Sequence, residues 1–163
     1  MKNNFDFIPS LIIYDFDGVM TDNRALLDER GMEYVGVHRG DGWAVRMIKD
    51  KLKIPQIILS TEVNNVVLKR ADKLKISVIH NAGDDKKEIL KRYCSENGFD
   101  IKKSVYIGND LNDYDAMQLC GLRMCPADAE IEIKEISDHI FASKGGYGVI
   151  REFYRLLSEV FYE

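Results

Sequence analysis

The sequence predicts an α/β protein, a Rossmann-like three-layer sandwich in which helices cover both faces of a central, mostly parallel sheet. Three observations carry this expectation. Short apolar runs alternate along the chain with stretches of helical periodicity, which is the pattern of parallel strands joined by crossover helices. The first apolar run ends in a cluster of carboxylates, at the strand end where open parallel sheets place their ligands. No low-complexity linker or repeat interrupts the alternation, so residues 1–163 are expected to form one domain.

The run Leu11-Ile12-Ile13-Tyr14 reads as a short buried strand. Further strands are expected at Ile54–Ser60, Ile76–Ile79, Ser104–Ile107, Leu122–Cys125 and Asp138–Phe141. Between them, helical spacing marks Trp43–Lys53, through Val45, Ile48 and Leu52, and Lys86–Asn97, through Leu90, Tyr93 and Cys94. Asn64–Leu74 and Leu111–Leu119 read the same way. The glycine-rich turn Gly145–Gly148 feeds a last helix whose apolar residues Val149, Phe153, Leu156 and Val160 repeat at helical spacing. Arg24–Val37 breaks the alternation: Ala25–Leu27 and Glu33–Val37 flank the turn-like Asp28–Gly31, so a β-hairpin is expected to stand over the carboxylate cluster.

A chain of 163 residues suffices for one sizeable core. Its 23 basic and 27 acidic residues give a net charge of −4, which argues against a nucleic-acid binder that relies on a positive field. An anionic substrate is still compatible, because a metal ion and a few placed cations set the local potential. Cys94, Cys120 and Cys125 are odd in number and lack Cys-x-x-Cys spacing, so reduced core thiols are expected rather than disulfides or zinc. The Met1–Asp6 stretch lacks a signal-peptide core and no apolar run could span a bilayer, which points to a cytoplasmic protein without membrane contact. His80 and His139 have no ligand-like spacing and no serine partner, so neither suggests a Ser-His-Asp hydrolase.

Asp15-Phe16-Asp17-Gly18-Val19-Met20-Thr21-Asp22 follows the first strand. A carboxylate pair there can hold a hard divalent cation through oxygen, while one carboxylate remains able to attack phosphorus. A polar turn is the plain alternative, but a turn does not need the further Thr21 and Asp22. Ser60 ends the second strand, where it can serve as a helix cap or hydrogen-bond a phosphoryl oxygen. Asp84-Asp85-Lys86-Lys87 opens a helix, a position where Lys opposes the helix dipole and so wants a reason beyond solvation. Gly108-Asn109-Asp110-Leu111-Asn112-Asp113 follows the fourth expected strand and can be a turn or a source of metal-binding oxygens.

The Asp15–Asp22 octapeptide resembles the first motif of the haloacid dehalogenase-like phosphatases. The resemblance implies that Asp15 is the nucleophile and Asp17 the general acid/base, which also lends its carbonyl to Mg²⁺. It further implies that Ser60 binds a phosphoryl oxygen and that Lys86, with Lys87 in reserve, neutralises the charge shared by Asp15 and the phosphate. In the fourth motif Asn109 stands where the family commonly has Asp. A metal site of Asp15, Asp17 and one of Asn109 or Asp110 is implied, with Asp113 supporting it from outside the ligand sphere. Only Thr61–Asp85 separates the second and third motifs, too little for a cap domain, so the hairpin is the only flap.

Gly145–Glu152 resembles a signature of the family's sugar-acid phosphatase branch, whose homotetramers cover each site with a neighbour. Ser60-Thr61-Glu62 looks more like the group acting on nine-carbon sugar acids, which makes Thr61 and Glu62 substrate contacts. Lys73 would meet the substrate or a neighbouring subunit. Asp41 with Gly42 partly matches an Arg-Asp-Gly motif and would touch substrate or begin a helix. The resemblance therefore implies a Mg²⁺-dependent phosphatase acting through an aspartyl-phosphate on a 3-deoxy sugar-acid phosphate. A nonulosonate 9-phosphate is the first expectation and 3-deoxy-D-manno-octulosonate 8-phosphate the second. A reading from another class is a non-catalytic oligomerisation module related to domains fused to CMP-sialate synthetases; the retained Asp15, Asp17, Ser60, Lys86 and Asp113 argue against such decay.

Overall fold

The computed structural model describes residues 6–80, 83 and 85–161. Met1–Phe5, from the stretch read for a leader, and Asp84, from the lysine-bearing motif, lie outside the described residues. Six strands form one parallel sheet: β1 (Leu11–Tyr14), β4 (Gln56–Leu59), β5 (Ser77–Ile79), β6 (Ser104–Ile107), β7 (Leu122–Cys125) and β8 (His139–Ile140). Their order is β5-β4-β1-β6-β7-β8, with β1 between the strands that carry the second and fourth motifs. Every residue of β1, β4 and β6 is buried, as expected of strands covered on both faces.

Alternation along β1 divides the core. Ile12 and Tyr14 pack with residues of α1 (Arg39–Met47), α2 (Val66–Leu74) and α6 (Val149–Phe161), among them Val45, Val67 and Phe153. Leu11 and Ile13 point the other way, toward α3 (Lys86–Asn97), α4 (Tyr114–Met117) and α5 (Ile131–Ile136), through Leu90, Met117 and Ile133. The expected three-layer sandwich is therefore observed. Cys94, Cys120 and Cys125 are buried free thiols. Among the described residues no helix is long and apolar enough to cross a membrane.

Several boundaries differ from the expectation, each for a local reason. The first helix starts at Arg39 rather than Trp43, because the polar run before Trp43 hides its opening turn, and it ends in a π-helical turn, Ile48–Leu52, closed by Lys53 at φ 59°. The segment read as Leu111–Leu119 splits into a 3₁₀ turn, Leu111–Asp113, and α4, because Asp110 and Asp113 form a capping box around that turn. Helix α5 was not expected; Ile133 is its one fully buried residue, so the sequence carries no clear helical stripe. In α6 it is Leu157 that is fully buried, with Leu156 only partly so.

The hairpin forms as expected from β2 (Leu26–Leu27) and β3 (Glu33–Tyr34), paired antiparallel. The Asp28 carboxylate accepts hydrogen bonds from the Arg30 and Met32 amides, and Gly31 takes φ +77° to complete the turn. Asn64 Nδ2 donates to Glu33 Oε2 at 2.9 Å and ties the hairpin to the loop after β4. Leu26 and Leu27 remain 73% and 68% exposed, one on each face of the two-stranded ribbon, so neither face of the hairpin is covered.

Candidate active site

Strand register assembles the site. Tyr14 pairs with Ile58 on one side and Ile107 on the other, so Asp15, Ser60 and Asn109 emerge together at the carboxyl edge of the sheet. The Asp15 amide still donates to Ile107 O at 2.9 Å, which extends the ladder by one residue and fixes where its side chain begins. Asp15 Oδ1 accepts from the Phe16 amide at 2.8 Å and from Lys86 Nζ at 2.9 Å.

Lys86 is the first residue of α3, whose N-cap Asp85 accepts from the Glu88 amide. The side chain is 1% exposed and bridges Asp15 and Asp113, at 2.9 and 2.7 Å. Asp113 is saturated within the protein: Oδ1 also accepts from Tyr106 Oη at 2.8 Å, and Oδ2 accepts from the Asn109 amide at 2.9 Å. It therefore holds Lys86 and the Gly108–Asp110 loop and has no oxygen left for a metal. Tyr106 was missed because an aromatic residue in mid-strand reads as core, and its hydroxyl gives no sequence signal. Burial works against the Lys86 charge, but the two carboxylates outweigh it and hold the ammonium above its ordinary range. Burial and then the neighbouring Asp113 push the Asp15 carboxyl up to about 8, against the pull of Lys86 and the Phe16 amide.

Asn109 supplies the test of metal fit. The inward atom of its amide lies 2.8 Å from the Asp17 carbonyl oxygen and 3.1 Å from Asp15 Oδ2. With nitrogen inward the amide donates to both; with oxygen inward, three oxygens converge. Those separations match the roughly 2.9 Å edge of an octahedron whose ligands stand 2.0–2.1 Å from Mg²⁺. The residues present therefore fit a hard divalent cation. Asp110 uses one oxygen locally: its Oδ1 accepts from the Leu111 amide at 2.6 Å and caps the 3₁₀ turn.

Asp17 is half-buried, and its Oδ1 accepts from Thr21 Oγ1 at 3.1 Å. Thr21 Oγ1 in turn accepts from the amides of Gly18 and Asn23, each at 3.2 Å, and so braces the loop that carries Asp17. Burial raises the Asp17 proton affinity; the Thr21 hydrogen bond opposes it and Glu62 adds to it. Ser60 is buried, with its Oγ accepting from the Glu62 amide at 3.2 Å. Thr61 Oγ1 accepts from Asn112 Nδ2 at 3.4 Å, linking the loops after β4 and β6. Glu62 is exposed at the rim beside the hairpin and, with Met32, Glu33, Val63 and Asn64, lines a cavity of about 530 Å³.

Two expected substrate contacts lie elsewhere. Asp41 is enclosed between α1 and α6, where its Oδ1 accepts from the Arg151 amide at 2.8 Å; it serves the start of α6 and does not face Asp15. Lys73 sits in the last turn of α2, and because α2 joins two parallel strands, that turn lies at the end of the sheet opposite Ser60. It lines a basic groove of about 680 Å³ with Arg39, Arg46, Lys49 and Arg70. Lys87, the alternative to Lys86, is half-exposed.

Comparisons with known proteins point the same way as the geometry. A family model described as haloacid dehalogenase-like hydrolase matches residues 45–153. A 3-deoxy-D-manno-octulosonate 8-phosphate phosphatase from Haemophilus influenzae is 30% identical over 141 residues, which cover 86% of this chain and 78% of that protein. An N-acylneuraminate cytidylyltransferase from Oncorhynchus mykiss is 27% identical over 146 residues, 88% of this chain but only 34% of the longer enzyme. The crystal structure of a 3-deoxy-D-manno-octulosonate 8-phosphate phosphatase from Moraxella catarrhalis, in complex with magnesium, phosphate and KDO, superposes with a TM-score of 0.87 at 26% identity. That likeness covers 93% of this chain and 86% of the other.

The raised Asp15 carboxyl couples stability to pH and metal. Between about pH 4, where an unfolded Asp titrates, and pH 8 the metal-free native state holds the extra proton, so its stability falls as pH rises through this window. Mg²⁺ held on Asp15 would compete with that proton, so it is expected to raise Tm more near about pH 8.5 than near about pH 5.5. Thermal unfolding with and without MgCl₂ at both pH values measures this; an equal shift at both would detach metal binding from Asp15.

Proposed function

The chain belongs to the haloacid dehalogenase-like hydrolases and is a phosphomonoester hydrolase of their capless kind, and from this premise we propose that it hydrolyses the phosphate ester of a 3-deoxy-2-ulosonic acid through an aspartyl-phosphate on Asp15. The observation that carries this reading is the meeting of Asp15, Asp17, Ser60 and Lys86 at the carboxyl edge of β1 and β4. The named relatives support the octulosonate 8-phosphate as substrate. The exposed Glu62, which can accept hydrogen bonds from extra sugar hydroxyls, favours a nonulosonate 9-phosphate as the second reading.

In this mechanism a carboxylate oxygen of Asp15 attacks phosphorus as the ester P–O bond breaks. Asp17, whose burial favours its protonated form, gives its proton to the departing sugar alkoxide. Water then attacks the same phosphorus, yields a proton to the Asp17 carboxylate, and phosphate leaves as the Asp15–phosphorus bond breaks. Lys86 and the Ser60 hydroxyl hold charge on the transferring group throughout. Asp15, the Asp17 carbonyl and Asn109 would hold Mg²⁺, which when bound supplies positive charge against the phosphoryl oxygens.

Assembly belongs to the same reading. A site roofed only by a hairpin is open to water, and the uncovered Leu26 and Leu27 suit burial against other copies in a homotetramer. Lys73, too far from its own site, is then available to a neighbour.

Asp15→Asn is expected to remove turnover while retaining the fold, and Asp17→Asn to cost about 10²–10⁴-fold in kcat, with partial recovery on an ester of an acidic leaving group. Turnover by Asp15→Asn at the native rate would end the nucleophile assignment. A phosphate-release assay should give a higher kcat/KM for octulosonate 8-phosphate or nonulosonate 9-phosphate than for simple phosphate esters, with Glu62→Ala weakening the nonulosonate ester most. Equal rates on all esters would sink the sugar-acid reading. Sedimentation should show a tetramer that Leu26→Asp with Leu27→Asp disperses; a native monomer would refute the assembly.

A further inference from the structure

The glycine signature Gly145–Glu152 makes a set of close contacts within its own chain. The Gly146 amide donates to Val19 O at 3.0 Å, and the Gly145 amide donates to Asp128 Oδ1 at 2.9 Å. Behind them, the Glu152 carboxylate accepts from the amides of Ala142 and Ser143 at 2.9 and 2.8 Å. The loop is thus clamped from both ends against the turn that follows Asp17.

That clamp ends in a stack of close approaches. A β-carbon on Gly145 would overlap the carbonyl oxygen of Gly18 and stand 3.0 Å from Thr21 O. Gly18, at φ +81°, has no room for a side chain either, because a β-carbon there would overlap the Asn109 amide. The Gly145 backbone therefore rests on the Gly18 peptide, and Gly18 rests on the amide whose inward atom meets Asp15 and Asp17. Gly145 itself is outside the positive-φ region, so alanine there meets a steric obstacle but no backbone penalty.

We infer that Gly145 is a positioning residue for the metal site: its bare Cα lets the C-terminal loop seat the Gly18 turn, and that turn sets the Asp17 carbonyl and the Asn109 amide. The inference rests on the reading of Asp15, Asp17 and Asn109 as the metal-holding set. Asp15 is secured independently, by Phe16 and Lys86 on its other side. A displaced Gly18 turn therefore moves two of the three oxygen groups and leaves the nucleophile in place, so metal affinity must change in the variant.

The test is Mg²⁺ binding to the full-length protein by calorimetry, alongside the Mg²⁺ dependence of turnover on a simple phosphate ester. Gly145→Ala is expected to weaken Mg²⁺ binding about tenfold, the low end of the cost of disturbing groups behind metal ligands. Asp128→Ala, which removes the exposed carboxylate holding the Gly145 amide without adding bulk, shifts affinity in the same direction by less. Unchanged affinity in folded Gly145→Ala overturns the inference, as does loss of kcat with binding intact. Should Gly145→Ala fail to fold, native affinity in Asp128→Ala overturns it. Native affinity in Asn109→Ala instead overturns the ligand assignment beneath it.

Discussion

One buried ammonium organises this molecule. Lys86 lies between Asp15 and Asp113 with essentially no access to water, and each carboxylate is anchored to a different strand end. Removing one partner of such a pair typically costs about 3–5 kcal/mol, because a charge is left buried without compensation. The arrangement therefore couples the start of α3, the end of β1 and the 3₁₀ turn after β6. It also explains why a lysine occupies the first turn of a helix against the dipole: the two carboxylates supply far more attraction than the helix end supplies repulsion.

The same charge sets the division of labour between the carboxylates. Asp113 spends both oxygens on Lys86, Tyr106 and the Asn109 amide, so it is a scaffold for the loop. Asp15 spends one oxygen on Lys86 and the Phe16 amide and keeps the other turned toward Asp17 and Asn109. Identical side chains thus differ in role through the number of donors each environment provides. Sequence could place both at the sheet edge but could not count those donors.

Most of the sheet was legible because β1, β4 and β6 are buried on both faces and so read as unbroken apolar runs ending in polar motifs. Helix α5 was not, since a helix with one buried residue leaves no stripe. Within the site, Asp15, Ser60 and Lys86 were locatable because each ends a strand or begins a helix. Lys73 was misplaced by counting along α2 without its direction, although the parallel strands on either side already require that helix to run away from the site. Of the two readings of Asp41, the helix start holds, since it lies in the first turn of α1; its partner, the Arg151 amide, lies 110 residues away, and a motif cannot report such a contact. Gly145 shows the same limit, because a glycine in sequence does not reveal which peptide presses against it.

Asn109 shows how a departure from a motif can be read physically. Three carboxyl groups, those of Asp15, Asp17 and Asp113, already share the neighbourhood of one ammonium, Lys86. An aspartate at 109 would add a fourth carboxyl, beside the position that the phosphate ester enters in the proposed reaction. An asparagine can turn a hard oxygen toward a cation without that repulsion, at the expense of weaker attraction for the metal. Affinity in the proposed site would then rest on placement, with the Asn109 amide held 2.8 Å from the Asp17 carbonyl oxygen and 3.1 Å from Asp15 Oδ2. A site that relies on placement in this way gains most from a rigid backing, and the Gly18 turn, packed between the Asn109 amide and the C-terminal glycine loop, provides one.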